Sequence, residues 1–209
     1  MPWSRIRPCA ADVTADGVTA VPVHPLGRPT VRMLDGYRPA GGTEAADVQR
    51  IRELAESGRD PWLRSAPLHL TASALIVHPA SGGILLRWHQ RQRAWLQVGG
   101  HADPGEGDPL AIAMREAREE TALADLVPWP DERLRHVAVV PVPAAGGEPA
   151  HAHADLRFIL ATRTPGAARP ENPGAPLRWL PPDEAYQATS EASLRETLAR
   201  ARRLLADGY

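Results

Sequence analysis

Apolar positions along this chain fall into two spacings, and the spacings divide it into elements. Leu68 to His78, LHLTASALIVH, is dense in apolar and β-branched residues without a helical period, which predicts a strand. Ile84 to Trp88 has the same character. Pro79-Ala80-Ser81-Gly82-Gly83 between the two reads as a hairpin-like break. Trp95 to Val98 is a short strand feeding a glycine pair. Leu134 to Val142, Leu156 to Thr162 and Leu177 to Leu180 are strand-like as well, and Pro143 to Ala152 is read as a mobile loop. Spacings of three and four mark the helices. One covers about 44–57, capped by Thr43, with Val48, Ile51 and Leu54 or Ala55 on its apolar face. Another covers about 190–206, with Leu194, Leu198, Ala201 and Leu205 on one stripe. Residues 1–42 are punctuated by Pro and Gly and hold short runs such as Val18 to Val23. They are read as an irregular arm with one or two strands.

A third helix carries the most chemistry. Asp108 is a good N-cap and Pro109 suits the first turn, so a helix is predicted to run on through Leu110 and Met114 toward Leu123. Glu116, Glu119 and Glu120 stand at i, i+3 and i+4, so they share one side. Leu110, Ala113, Met114, Ala117 and Thr121 form a second stripe, and Arg115 and Arg118 take the remaining side. Each like-charged pair costs about 0.2–0.5 kcal/mol on an isolated helix. A solvated acidic face is the plain explanation for such a stripe. A hard divalent cation, which takes oxygen ligands, is the functional one.

Composition narrows the choices. With 209 residues the chain is long enough for a sizeable core, as one domain with an appendage or one large domain. A net charge of −1 gives no electrostatic footprint for nucleic acid or membrane. The single cysteine, Cys9, excludes an internal disulfide framework and reads as an incidental thiol. No run of about 18 apolar residues is present and the N-terminus has no secretory pattern, so a cytoplasmic protein is expected. Apart from histidine every basic residue is arginine, which excludes Schiff-base lysines and the P-loop lysine.

The glycine-rich loop before the third helix supplies the wider pattern. Gly100 and Glu106, then Arg115-Glu116, Glu119-Glu120 and Leu123, resemble the Nudix box, G-x5-E-x7-R-E-U-x-E-E-x-G-U, where U is a bulky aliphatic. Trp95 to Gly100 also looks like the approach to that box. The chain departs from the pattern in four places: eight residues, not seven, separate Glu106 from Arg115, Ala122 stands where the box has glycine, Ala117 is smaller than the usual aliphatic, and Val98 stands where a proline is common. The extra residue is placed near Gly107, before the helix.

The resemblance covers roughly residues 68–205. It implies an α/β fold, an α/β/α sandwich with a mixed β-sheet between helices, over a domain at 68–209. Residues 1–67 would be an arm and helix packed on that domain, or on a second subunit in a homodimer. The activity implied is divalent-metal-dependent hydrolysis of a diphosphate linkage in a nucleoside diphosphate joined to another moiety. Mg²⁺ or Mn²⁺ would be held by Glu116, Glu119, Glu120 and the carbonyl of Gly100. Arg115 would orient a neighbouring carboxylate, and Glu106 would be an outer ligand or a structural acceptor. The general base is open between Glu116 in the box and Glu148, His153 or Asp155 outside it. His101 is a candidate phosphate contact. Trp88, His89, Arg91, Arg93 and Trp95 are candidates for stacking and anion contacts, against a reading in which Trp95 packs in the core and the arginines lie on the surface. The alternative function is a Nudix-fold nucleotide sensor without turnover. An isoprenoid diphosphate isomerase would need a catalytic cysteine, and Cys9 is badly placed for that.

Overall fold

A computed structural model describes residues 22–208; Cys9 and most of the Val18–Val23 run lie outside them. Two helices, α1 (Arg28–Asp35) and α2 (Gly42–Glu56), precede β1 (Leu68–His78), β2 (Gly83–His89), β3 (Ala94–Leu96) and β4 (Val98–Gly100). The box helix α3 (Pro109–Thr121) follows, then β5 (Val127–Pro128), β6 (His136–Val142), β7 (His151–Ala161) and β8 (Leu177–Leu180). The chain closes with α4 (Pro182–Ala188) and α5 (Ala192–Ala206). The eight strands form one mixed sheet. At its centre β1 and β7 run parallel, while β2 and β4 pair antiparallel with β1 and β6 pairs antiparallel with β7.

Alternation along the central strands builds the layers, because successive strand side chains point to opposite faces. On one face Leu70, Ala72, Ala74 and Ile76 of β1 meet Leu156 and Phe158 of β7, with Ile112, Ala113 and Ala117 of α3 above them. On the other face Leu75, Val77 and Ile159 pack under Leu194, Leu198 and Ala201 of α5. The sheet therefore lies between helices. Leu34 of α1, Ile51 of α2 and Trp62 belong to the same core as α3.

Several expectations are corrected. The arm contains a helix, α1, that the sequence reading did not predict; it carries a proline in its first turn and buries Thr30 and Leu34. Thr43 is not a cap, since α2 begins at Gly42 with Gly41 before it. Glu44 in that first turn is drawn inward instead, accepting the Ala40 N–H at 2.6 Å and pairing with Arg200 of α5 at 2.8 Å. The buried stripe of α3 includes Ile112, fully enclosed, whereas Leu110 and Met114 are partly exposed flanks. The segment from Trp95 to Val98 splits at Gln97 into β3 and β4. Finally, β7 begins at His151, five residues before the expected start at Leu156, so His153 and Asp155 are strand residues.

Candidate active site

Helix α3 starts as its sequence dictates. The Asp108 carboxylate accepts the N–H groups of Leu110 (3.0 Å) and Ala111 (3.2 Å). The three box glutamates leave it in different surroundings. Glu119 is exposed, Glu116 half-buried and Glu120 buried. One Glu120 oxygen accepts the Gly99 N–H at 3.0 Å; the other meets the Arg87 guanidinium of β2 at 3.2 Å. Burial outweighs both partners and pushes the Glu120 carboxyl up to about 7. Burial likewise raises Glu116, against the opposing pull of Arg115.

Arg115 organises this side. Its guanidinium donates to both Glu106 oxygens (2.9 to 3.3 Å), to Glu116 (3.1 Å), to Glu119 (2.9 Å) and to the His101 carbonyl (2.9 Å). Those hydrogen bonds hold the Glu106 carboxyl below its ordinary range. Glu106 thus serves as an acceptor, for Arg115 and for the Asp103 N–H at 2.8 Å. Gly107, near which the extra loop residue is placed, is buried, and a Cβ there would come within 2.9 Å of the Leu26 backbone. Gly100 presses just as closely on Glu116: a Cβ would lie 2.6 Å from its Oε1. A backbone unit and a carboxylate are thereby brought together, with Glu120 one turn further along the helix. Arg115 reaches Glu116 and Glu119, and Arg87 reaches Glu120, yet burial still raises two of the three carboxyls. The three carboxylates are hard oxygen donors, the ligand type a hard divalent cation takes, although each is held by an arginine here and their oxygens are not gathered as closely as the nitrogens of His69, His151 and His153.

Gly99 and Gly100 also line a cavity of about 230 Å³ on the opposite, α5-side face of the sheet, floored by Thr71, Ser73, Asp155 and Arg157. Asp155 is saturated with donors: Thr71 (3.0 Å), Ser73 (2.8 Å), Gln97 (3.1 Å) and Arg157 (2.8 Å). Such a carboxylate positions its neighbours. The Arg157 side chain, only 3% exposed, places a buried cation beside this cavity. Gln97 Oε1 is buried there without a partner. Neither residue was singled out from the sequence. Arg157 follows Asp155 at the strand spacing of two, which is the one signal that could have pointed to it.

His153 lies within a group of imidazoles rather than beside the box glutamates. Its Nε2 is 3.2 Å from that of His151, and its ring lies 5.0 Å from His101 and 5.1 Å from His69. Burial, reinforced by the neighbouring rings, lowers His153 to about 4 and His101 to about 3. Glu148 is a half-buried acid held by Arg91 (2.5 Å) and Arg64 (3.0 Å), which keep its carboxyl below the usual range. Trp95 stands edge-on to Trp88 at 5.5 Å and packs against the α5-side core. Arg93 occupies the turn between β2 and β3 at φ 50°.

A family model described as the NUDIX domain matches residues 67–201. No curated protein matches the sequence. Among solved structures, a C. elegans Ap4A hydrolase binary complex is 20% identical and covers 66% of this chain and 98% of its own, with a TM-score of 0.54. The E. coli dihydroneopterin triphosphate pyrophosphohydrolase is 18% identical, covering 65% of this chain and 94% of its own, with a TM-score of 0.49. At such identities the likeness is one of fold. No helix among the described residues is long and apolar enough to cross a membrane.

Proposed function

The chain belongs to the Nudix family of pyrophosphohydrolases, and from that premise we propose that it hydrolyses a diphosphate linkage in a nucleoside diphosphate joined to a second group, with Mg²⁺ or Mn²⁺. The observation that carries this reading is the close approach of the Gly100 backbone to Glu116 on the helix that also bears buried Glu120, whose charged form burial opposes. Glu116, Glu120 and the Gly100 carbonyl would hold the ion, with Glu119 at the exposed edge. Residues 68–209 form the catalytic domain in this proposal and residues 1–67 its packed arm. When bound, the ion neutralises phosphate charge and acidifies water.

The chain's own groups do the rest. Water attacks phosphorus, the bridging P–O bond breaks, and Glu116 takes the proton released by the water. Its half-burial favours the protonated form, as a proton acceptor requires. Glu148 is less suited to that role, because two arginines stabilise its anion. Arg115 fixes Glu116 and Glu119 relative to the loop. Arg157 and Gln97 give the substrate cavity a cation and an open acceptor.

The test is a phosphate-release screen across nucleoside diphosphate conjugates, dinucleoside polyphosphates and pterin triphosphates, with thermal melts alongside. Excess Mg²⁺ or Mn²⁺ should stabilise the parent by binding linkage. Glu119→Gln combined with Glu120→Gln should lose most of that gain together with hydrolysis. Glu116→Gln should lower kcat by roughly 10²–10⁴, and Glu148→Gln by much less. Metal-dependent stabilisation with no release from any substrate would favour a nucleotide sensor. A melt indifferent to divalent ions would remove the helix from catalysis.

A further inference from the structure

Four histidines converge on the α5-side face of the sheet, and neither the box chemistry nor the core requires them. The parallel register of β1 and β7 sets His69 directly opposite His153. His151 is two residues before His153 and shares its face. β4 pairs with β1 through Gly100 and Ala72, which brings His101, the next residue, alongside. The rings of His69, His151 and His153 lie 5.0 to 5.4 Å from one another, and His101 lies 5.0 to 5.1 Å from His69 and His153.

We propose that His69, His151 and His153, with His101 completing the set, bind one late first-row divalent ion of the Zn²⁺ class, separate from the glutamate cluster. The spacing supports it. One ligand nitrogen from each of His69, His151 and His153 lies within 4.8 Å of the other two. The Nε2 atoms are 3.1 Å apart in the His69–His101 pair and 3.2 Å apart in the His151–His153 pair. A tetrahedral ion with Zn–N bonds near 2.05 Å places its ligands roughly 3.3 Å from each other. Two edges of that figure are thus already close to length.

The proton positions support it further. His69 Nδ1 faces the Ala66 carbonyl at 2.8 Å, and His151 Nδ1 faces the Pro149 carbonyl at 2.9 Å. A carbonyl can only accept, so each Nδ1 carries the hydrogen and each neutral ring keeps its lone pair on Nε2, the atom turned toward the cluster. Backbone carbonyls that fix the tautomer in this way are what metal-ligating histidines ordinarily have. Among the described residues no carboxylate hydrogen-bonds to any of the four rings, although His69 is fully buried. All-nitrogen donors select Zn²⁺, Cu²⁺, Ni²⁺ or Co²⁺, whereas Mg²⁺ takes oxygen ligands. Entry is open: His101, His151 and His153 line a cavity of about 490 Å³ rimmed by Arg64, Arg91 and Glu148.

Co²⁺ titration of the full chain in excess Mg²⁺, followed by visible absorption, tests the site, with elemental analysis after Zn²⁺ loading and gel filtration. The expected result is one equivalent of bound ion and the ligand-field bands of tetrahedral, nitrogen-ligated Co²⁺. His151→Ala, at a half-buried position, should weaken binding at least about tenfold. His151→Ala combined with His153→Ala should abolish it, with circular dichroism verifying the fold. Glu119→Gln combined with Glu120→Gln should leave the Co²⁺ bands in place. The proposal is overturned if no ion survives excess Mg²⁺, if the His151→Ala protein binds as the parent does, or if the bands vanish in the glutamate variant. Binding at the histidines without any hydrolysis would leave this site standing and remove only the proposed function.

Discussion

Ala122 stands where the box has glycine and takes the left-handed conformation, φ 57°, that glycine adopts freely. The turn leaving α3 is therefore kept, and the side chain carries the strain. A left-handed L-residue costs about 1–2 kcal/mol, partly offset because alanine restricts the unfolded chain more than glycine does. Ala122→Gly should stabilise the protein by up to about 1 kcal/mol, read as a higher urea midpoint at unchanged m-value; a lower midpoint would show that the strain is absent. The three glutamates illustrate what spacing alone cannot convey. Their helical positions were legible, but helical arithmetic gives direction, not depth. What separates exposed Glu119 from buried Glu120 is Arg87 and Gly99, which approach from other elements. Gln97 and Arg157 were illegible for a related reason. Each is an ordinary polar residue until folding places Asp155 beside it.

Elements whose signals are local were readable: the cap and proline that begin α3, the apolar run of β1, the stripe of α5. The start of β7 was not. Its first residues, HAHAD, face the cavity and the imidazoles, so the positions that would carry apolar side chains in a structural strand carry His and Asp. The lengthened loop holds a contact the motif could not reveal. Gly107 lets the arm lie against the loop, where Leu26 sits and where Trp62 donates its indole N–H to the Leu26 carbonyl at 3.1 Å. Gly107→Ala should push the arm away at a cost of about 1–3 kcal/mol, the range for overpacking, measured by urea unfolding. Unchanged stability would mean that the arm yields without loss.

At the scale of the whole molecule the arm is tied down by Glu44. Its carboxylate is buried, which opposes its charge, but Arg200, Tyr37 and the Ala40 N–H outweigh burial and bring it to about 2. A carboxyl depressed by folding stabilises the protein above its unfolded pKa, about 4.5, and that stability is lost as pH falls toward 2. Glu44→Gln should cost about 3 kcal/mol at pH 7, and the deficit should shrink across that acid window. An equal deficit at every pH would show that the charge is not what counts. The parallel pairing of β1 with β7 has a consequence in time. The Thr71–Asp155 bond joins residues 84 apart in sequence, and His69 meets His153 across the same seam. Closing so long a loop is entropically costly, and contacts of this separation slow folding. The box helix, by contrast, needs only its own neighbours to start. In pulse-labelled refolding, amides of α3 should gain protection before those of β1 and β7, and enzymatic activity should return only with the later phase. On a ribosome β1 and α3 both emerge before β7, and the cavity beside them has no floor until β7 has followed.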